Sequence, residues 1–315
     1  MDRNNGGNLL SLLPAIRRCR GHRLYAENGK RFLDLWQDDG RGVLGAKGTG
    51  IGTVVKAETD KGLGSPLPNV YERRLEKALA AAFPLYAASR FYPDEAAAAR
   101  ALASCAAAAG AVSAGAATGT AAAASAARSG AARSGAAMLD GTNWYLCIEE
   151  LAFDPARREA STAGRLALLE RPYPEGLDMD AARNSFHIAF LRLPLARAFS
   201  PAVLLFRDEA DAAGFGRSLV PPLELSAAVK AFAELAGHRN AYAEELWKRT
   251  DRRLGGLFER KGPRLWPRCP REAYPALFKA SLERGVLLSP FWDLPSNIPA
   301  DFDDGELKTL SDIVI

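Results

Sequence analysis

The chain has 315 residues, 48% hydrophobic and 25% charged, the balance of a folded globular protein with length for one large or two ordinary domains. A formal net charge of +4 is too small to argue for nucleic acid, and no apolar stretch approaches the roughly 20 residues that span a bilayer. Cys19, Cys105, Cys147 and Cys269 lie far apart with no CxxC pair, which argues against a zinc site or a disulfide framework and suits a reducing cytoplasm.

At the N-terminus the apolar run Leu9–Ile16 precedes its arginines, the reverse of a secretory signal. Leu24–Trp36 predicts a hairpin turning at Asn28-Gly29, expected as a type I′ turn with both residues at positive φ, and Phe32, Leu33 and Leu35 supply the apolar residues of its exit strand. Gly40–Gly45 is a literal GxGxxG. A dinucleotide site needs a helix directly after that motif, whereas Ala46–Thr53 is glycine-rich and reads as continued loop, so the Rossmann reading is rejected. These glycines are expected where the backbone passes close to another element.

Val70, Leu75 and Leu79 recur at helical spacing and predict a helix over Pro68–Ala82, ended by Phe83-Pro84. Ser89–Tyr92 reads as a short strand, and Asp94-Glu95 opens a further helix with acidic residues at its positive end. Ala96–Ala137 is low in complexity. Ala96–Ala109 is helical by propensity, and beyond Gly110 the segment reads as a linker or as a pair of helices packed through small residues. Strand-like runs follow at Asn143–Ile148, Leu166–Leu169 (ended by Glu170), Phe186–Leu193 and Val203–Phe206. Pro221-Pro222 breaks the chain. Helices are predicted from Leu225, over Asn240–Phe258 and over Tyr274–Arg284, with a strand at Val286–Ser289 and a capping box of Asp303 and Glu306 opening the last helix.

The stretch Pro201–Ser218 carries the most chemical information. An apolar run is followed at once by Asp208-Glu209 and then by Gly214-Phe215-Gly216-Arg217. A carboxylate at the C-terminal end of a buried strand is where open α/β sheets hold ligands; the plainer reading is a strand end followed by a solvated acidic loop. His187 reads as a partly buried strand histidine, and His22 and His238 as surface residues. Neither a Ser–His–acid set nor a metal-ligand spacing is recognisable.

Taken together, three blocks resemble class III aminotransferases, the group of glutamate-1-semialdehyde, ornithine and acetylornithine aminotransferases. Arg23–Gly45, with Asn28-Gly29-Lys30-Arg31-Phe32-Leu33-Asp34, resembles the family's N-terminal hairpin; Val70–Ala101 resembles the helix before its phosphate loop; Leu223–Val314, with Arg284–Pro290, resembles its small domain. The resemblance implies an α/β fold of the type I pyridoxal-phosphate-dependent transferases, with a reduced large-domain sheet and a small domain built from both termini. It implies the division 1–68 (joining the small domain), 69–222 (shortened large domain, including 96–137) and 223–315 (small domain). It also implies pyridoxal phosphate as cofactor and a homodimer.

In the family an Asp-Glu strand delivers an aspartate to the pyridinium nitrogen, which makes Asp208 and Glu209 the candidate cofactor-binding residues. A competing alignment matches Leu191–Phe206 to the strand that follows the lysine segment, and Asp208 is then coincidental. Two departures touch the chemistry. Tyr92-Pro93-Asp94 stands where the family has Ser-Gly-Thr around the phosphate: proline lacks a donor and aspartate repels an anion. No lysine occurs between Lys77 and Lys230, and Lys230 sits within a helix matching the small domain, a poor candidate for the Schiff-base nucleophile. The expected function is therefore a non-transaminating relative, a regulatory or partner subunit. The alternatives are an active aminotransferase whose lysine is unplaced and a small-molecule binding module, with Arg207, Arg217 and Glu209 at a polar mouth beside the strand end.

Overall fold

The computed structural model describes residues 9–46, 50–84, 86–98, 100–102, 145–147, 167–170, 188–191, 193–238, 244–311 and 313. Most of the alanine-rich stretch, and His187, lie outside the described residues.

A mixed five-stranded sheet is formed by β4 (Ala88–Tyr92), β5 (Tyr145–Cys147), β6 (Ala167–Glu170), β7 (Ile188–Leu191) and β8 (Ala202–Phe206), in the spatial order β4-β8-β7-β6-β5. β5, β6 and β7 run parallel, and β8 runs antiparallel to both of its neighbours, β4 and β7. The sequence of β8, Ala-Val-Leu-Leu-Phe, is apolar on both faces because both faces are covered. Ala202, Leu204 and Phe206 pack with Ile188, Phe190 and Phe215 on one side, and Val203 and Leu205 with Ala189, Leu191 and Phe91 on the other.

The second face is roofed by three helices: α1 (Ile51–Asp60), α2 (Val70–Ala82) and, beyond the short α3 (Glu209–Ala213), α4 (Pro222–His238). α2 starts two residues inside its predicted span. Asn69 is its N-cap and accepts a hydrogen bond from the Tyr71 amide at 3.0 Å, and Leu75 and Leu79 point into the sheet. α4 presents Leu225, Ala227, Ala228 and Ala231, and packs against both α1 and α2. α1 corrects the expectation of a loop through Thr53. Gly50, at φ +68, is the helix's N-cap, so the glycine that argued against a helix delimits one.

A second core is built from both ends of the chain. β1 (Ile16–Arg20), β2 (Arg23–Ala26) and β3 (Arg31–Asp34) form an antiparallel ladder, and β3 pairs in parallel with β11 (Val286–Leu287), placing Leu33 opposite Val286. Phe32, Leu33 and Leu35 pack there with residues of α5 (Glu244–Leu254), β9 (Phe258–Lys261), β10 (Arg264–Pro267), α6 (Tyr274–Glu283) and α7 (Asp304–Lys308). α5 stops at Leu254, so Phe258, predicted inside that helix, instead opens a hairpin whose second strand β10 also pairs with β12 (Ser296–Asn297). The capping box of α7 is present as predicted: Asp303 accepts from the Gly305 amide at 3.0 Å, and Glu306 accepts from the Asp303 amide at 2.8 Å.

Two local expectations are corrected by geometry. The hairpin at Asn28-Gly29 is not type I′, since Gly29 has φ +82 while Asn28 is not among the residues at positive φ. The Gly29 amide donates to Ala26 O and the Ala26 amide to Lys30 O, the pattern of a type I turn closed by a glycine bulge. His22, expected at the surface, is buried: its Nδ1 lies 2.7 Å from Asp301 Oδ1 and its Nε2 3.1 Å from Val43 O. The expected close backbone approach is found in the same place, because a Cβ on Gly45 would stand 3.1 Å from Gly21 Cα.

Candidate functional site

β4 and β7 end together, at Tyr92 and Leu191, against the start of β8, where Tyr92 faces Ala202 and Leu191 faces Val203. β6 ends at the same edge with Glu170 in register with Leu191. In open α/β sheets this carboxyl edge is where ligands bind. Three segments converge on it: Pro93-Asp94 with the helix that begins at Glu95, the loop between β7 and β8, and the turn Gln37–Gly42 that arrives from the terminal core.

That turn is strained. Gln37, Asp38, Asp39 and Gly40 are all left-handed, with φ of 53, 47, 61 and 78. For the three non-glycine residues such a backbone costs about 1–2 kcal/mol each, and it persists where surrounding contacts over-determine it. Here Asp34 Oδ1 accepts from the Trp36 and Gln37 amides at 3.0 and 2.8 Å, Gln37 O accepts from the Gly42 amide at 2.8 Å, and Gln37 Nε2 donates to Asn297 O at 3.1 Å. Gln37 Oε1 and Trp36 Nε1 are buried without a hydrogen-bond partner among the described residues.

The far side of the turn is held by charge. The Arg41 side chain is 3% exposed and pairs with Glu95, and its Nη1 donates to Ser200 Oγ at 3.3 Å in the loop before β8. Arg197 in the same loop reaches Asp38 at 3.4 Å. Asp94 Oδ1 accepts the Ala97 amide at 2.6 Å and its carbonyl accepts the Ala98 amide, so this carboxylate fills the N-terminus of the helix it precedes. Glu224, in the first turn of α4, is held above the usual carboxylate range first by burial and then by the nearby charge of Asp94. The edge thus gathers Asp38, Asp94, Glu95 and Glu224 against Arg41 and Arg197. Among the described residues these acids outnumber the cations, and the N-terminus of the helix that begins at Glu95 already serves a protein carboxylate.

The predicted site residues lie elsewhere. Because β8 is antiparallel, its C-terminal end meets the starts of β4 and β7, with Phe206 facing both Ala88 and Ile188. Asp208, the N-cap residue of α3, and Glu209 therefore stand at the edge opposite the carboxyl ends of β4, β6 and β7. Glu209 and Arg217 line a cleft of about 620 Å³ there, together with Arg73, Lys77 and Arg90. Lys230 is on α4, where its Nζ pairs with Glu234 at 2.6 Å and its Cε packs over Gly50. Sequence reading passed over Arg41, taken only as part of a glycine motif. The one local signal was an arginine between two glycines just beyond a strand that enters the core.

No family model matches the sequence. Stretches of 66 and 71 residues are 39% and 37% identical to uncharacterized proteins of Borreliella burgdorferi and Treponema pallidum. Those stretches are 21% and 22% of this chain, and they span about a quarter of each relative, 24% and 23% of its length. Among solved structures, the chain is similar to the glutamate-1-semialdehyde-aminomutase of Pseudomonas aeruginosa PAO1 (14% identity, TM-score 0.64, covering 95% of this chain and 86% of that one). It is similar to the ornithine aminotransferase of Toxoplasma gondii ME49 (13%, 0.62, 95% and 88%). It is also similar to the N-acetylornithine aminotransferase of Stenotrophomonas maltophilia K279a (14%, 0.58, 96% and 97%). No helix among the described residues is long and apolar enough to cross a membrane. At identities this low the likeness is one of fold, and the chain shares the fold of these solved aminotransferases and aminomutase.

Proposed function

We propose that the chain is an aminotransferase-fold protein that does not transaminate and acts as a regulatory or partner subunit. The observation that carries this reading is the chemistry of the sheet's carboxyl edge. The direction of β8 favours the alignment in which it follows the lysine segment, and the loop before it, 192–201, reads Arg-Leu-Pro-Leu-Ala-Arg-Ala-Phe-Ser-Pro, without lysine. Pyridoxal phosphate, implied by the resemblance, supplies an electron sink through a lysine aldimine when it is bound. The residues here do not fit its phosphate: Pro93 has no N–H to give, Asp94 already accepts a helix amide, and Glu224 adds negative charge. On this reading Asp208 and Glu209 are not cofactor ligands, and Lys230, ion-paired on α4, is not a nucleophile.

An internal aldimine absorbs in the visible, at roughly 410–430 nm, a property of the cofactor. Incubation with pyridoxal phosphate followed by gel filtration is expected to leave no such band, and borohydride is expected to fix no label on a single lysine. A retained yellow colour with one labelled lysine would establish the alternative, an active aminotransferase with its lysine elsewhere.

We infer the same division as the resemblance implies, 1–68, 69–222 and 223–315, with α4 opening the third part while packing on the sheet. We also propose a two-fold homodimer. Leu9, Leu10, Leu13, Ile16 and Trp36 are taken up by the terminal core, whereas Leu67, Val70 and Leu219 remain exposed by 47, 63 and 52% and are available to an interface. Sedimentation at micromolar concentration is expected to give twice the chain mass, and a monomer would remove this part of the reading.

A further inference from the structure

We propose that the cleft at the opposite edge of the sheet, beside the start of β4, is a binding site for a small organic anion: an apolar body bearing a carboxylate or phosphate. The site does not depend on whether a cofactor binds at the carboxyl edge. Its volume, about 620 Å³, is that of a pocket for a small ligand rather than for a bare ion. Its floor is apolar, formed by Leu79, Phe83, Tyr86 and Leu205, which are 1, 8, 5 and 2% exposed. Its rim is charged. Four cations, Arg73, Lys77, Arg90 and Arg217, face two carboxylates, Glu76 and Glu209, an excess of two positive charges.

The arrangement of these cations indicates an anion. Arg73 and Lys77 are four residues apart on α2 and line one opening. Like charges at that spacing destabilise a helix, and an anion held between them removes the repulsion. Neither forms an ion pair with another described residue. Arg90 is fixed in place, each nitrogen of its guanidinium donating to a backbone carbonyl, of Ser89 at 2.9 Å, Ala212 at 3.0 Å and Phe215 at 3.4 Å. Carbonyls orient the group without neutralising it, so a positioned positive charge stands in the wall of the cleft. Arg217 is 68% exposed and only loosely paired with Glu72, at 3.6 Å, which leaves it able to close over a ligand. The carboxyl edge, by contrast, carries more acids than cations among the described residues. An organic anion is repelled there and attracted here.

The full chain, titrated calorimetrically at low salt with phenyl phosphate, phenylacetate, inorganic phosphate and neutral benzyl alcohol, tests the proposal. At least one of the two aromatic anions is expected to saturate with a Kd below about 1 mM. Inorganic phosphate and benzyl alcohol are each expected to bind at least about ten-fold more weakly, because each lacks one half of the recognised chemistry. The ratio between the two aromatic anions assigns the charged group as phosphate or carboxylate. Arg73 and Lys77 are exposed and repel each other, so the double variant Arg73→Ala/Lys77→Ala should fold with a Tm no lower than the wild type while losing about ten-fold or more in affinity. Ala80→Trp, also at an exposed lining position, fills the cleft and should abolish binding. The proposal is overturned if neither aromatic anion saturates, if benzyl alcohol or inorganic phosphate binds as well as they do, or if the double variant binds like the wild type.

Discussion

Replacing Arg41 with alanine is expected to destabilise the protein by about 2–4 kcal/mol, read as a lower urea midpoint at unchanged m. The guanidinium is almost wholly buried, paired with Glu95 and hydrogen-bonded to Ser200, so one side chain joins the left-handed turn, the helix after β4 and the loop before β8. Its removal takes a buried positive charge away from Glu95, next to Asp94 in the chain. It also frees one wall of a turn in which three non-glycine residues hold an unfavourable backbone. Glu95 is one-third exposed, and water reaching its carboxylate keeps the loss toward the lower end of that range. The reverse truncation, Glu95→Ala, should cost at least as much, because it removes the paired carboxylate from a guanidinium that is 3% exposed. The double variant should then lose less than the sum of the two singles, the signature of a direct pair. A loss below about 0.5 kcal/mol in Arg41→Ala would mean that the pair does not hold the turn.

The second large effect lies in pH. Asp34 lies partly buried at the end of β3, and desolvation there pushes its carboxyl up to about 6, against the pull of the Gln37 and Trp36 amides and of His22. The folded chain therefore keeps a proton that the unfolded chain, with an ordinary value of 3.8, releases. The stability from this group is fully present below that ordinary value and is lost as pH rises from about 4 to about 6, a difference on the order of 3 kcal/mol. Asp301 acts in the opposite sense. Its hydrogen bond to His22, with the charges of His22 and Arg23, holds it at about 2, so its contribution is present at higher pH and is lost as pH falls from about 4 to about 2. Because Asp301 is half-exposed, that acid limb is shallower. The combined contribution of these two groups is largest near pH 4. Asp34→Asn keeps an acceptor for both amides and removes the titration, so the decline between pH 4 and 6 should flatten. Parallel urea midpoints for wild type and variant across that window would show that Asp34 does not set it.

Much of the scaffold was legible from local pattern. Val70, Leu75 and Leu79 mark a helix face, and the run at Val203–Phe206 marks a strand covered on both sides. Asp303 with Glu306 marks a helix start. Each is a relation among residues within one or two turns, where sequence and geometry are directly coupled. The errors fell where the deciding contact is remote. Ala46–Thr53 reads as loop because its glycines weaken a helix, yet α1 begins within it at Ile51, where α4 packs along the helix and supplies what propensity lacks. His22 was placed at the surface because its partner, Asp301, is 279 residues away. The Arg41–Glu95 pair spans 54 residues and two different cores, and nothing local to either residue announces it.

The sequence by itself determined that no lysine is available between Lys77 and Lys230, that Pro93 and Asp94 stand where small donors are expected, and that both ends of the chain carry blocks resembling a single small domain. These are facts of composition and order, and folding cannot change them. Only the tertiary structure decided at which edge of the sheet Asp208 lies. An apolar run reads the same in either direction, and whether it enters a sheet parallel or antiparallel depends on the connections that precede it, not on its own residues. Once β8 is seen to oppose β4 and β7, the Asp-Glu pair moves to the edge with the cationic cleft, and the carboxyl edge is left to Arg41, Asp94, Glu95 and Glu224.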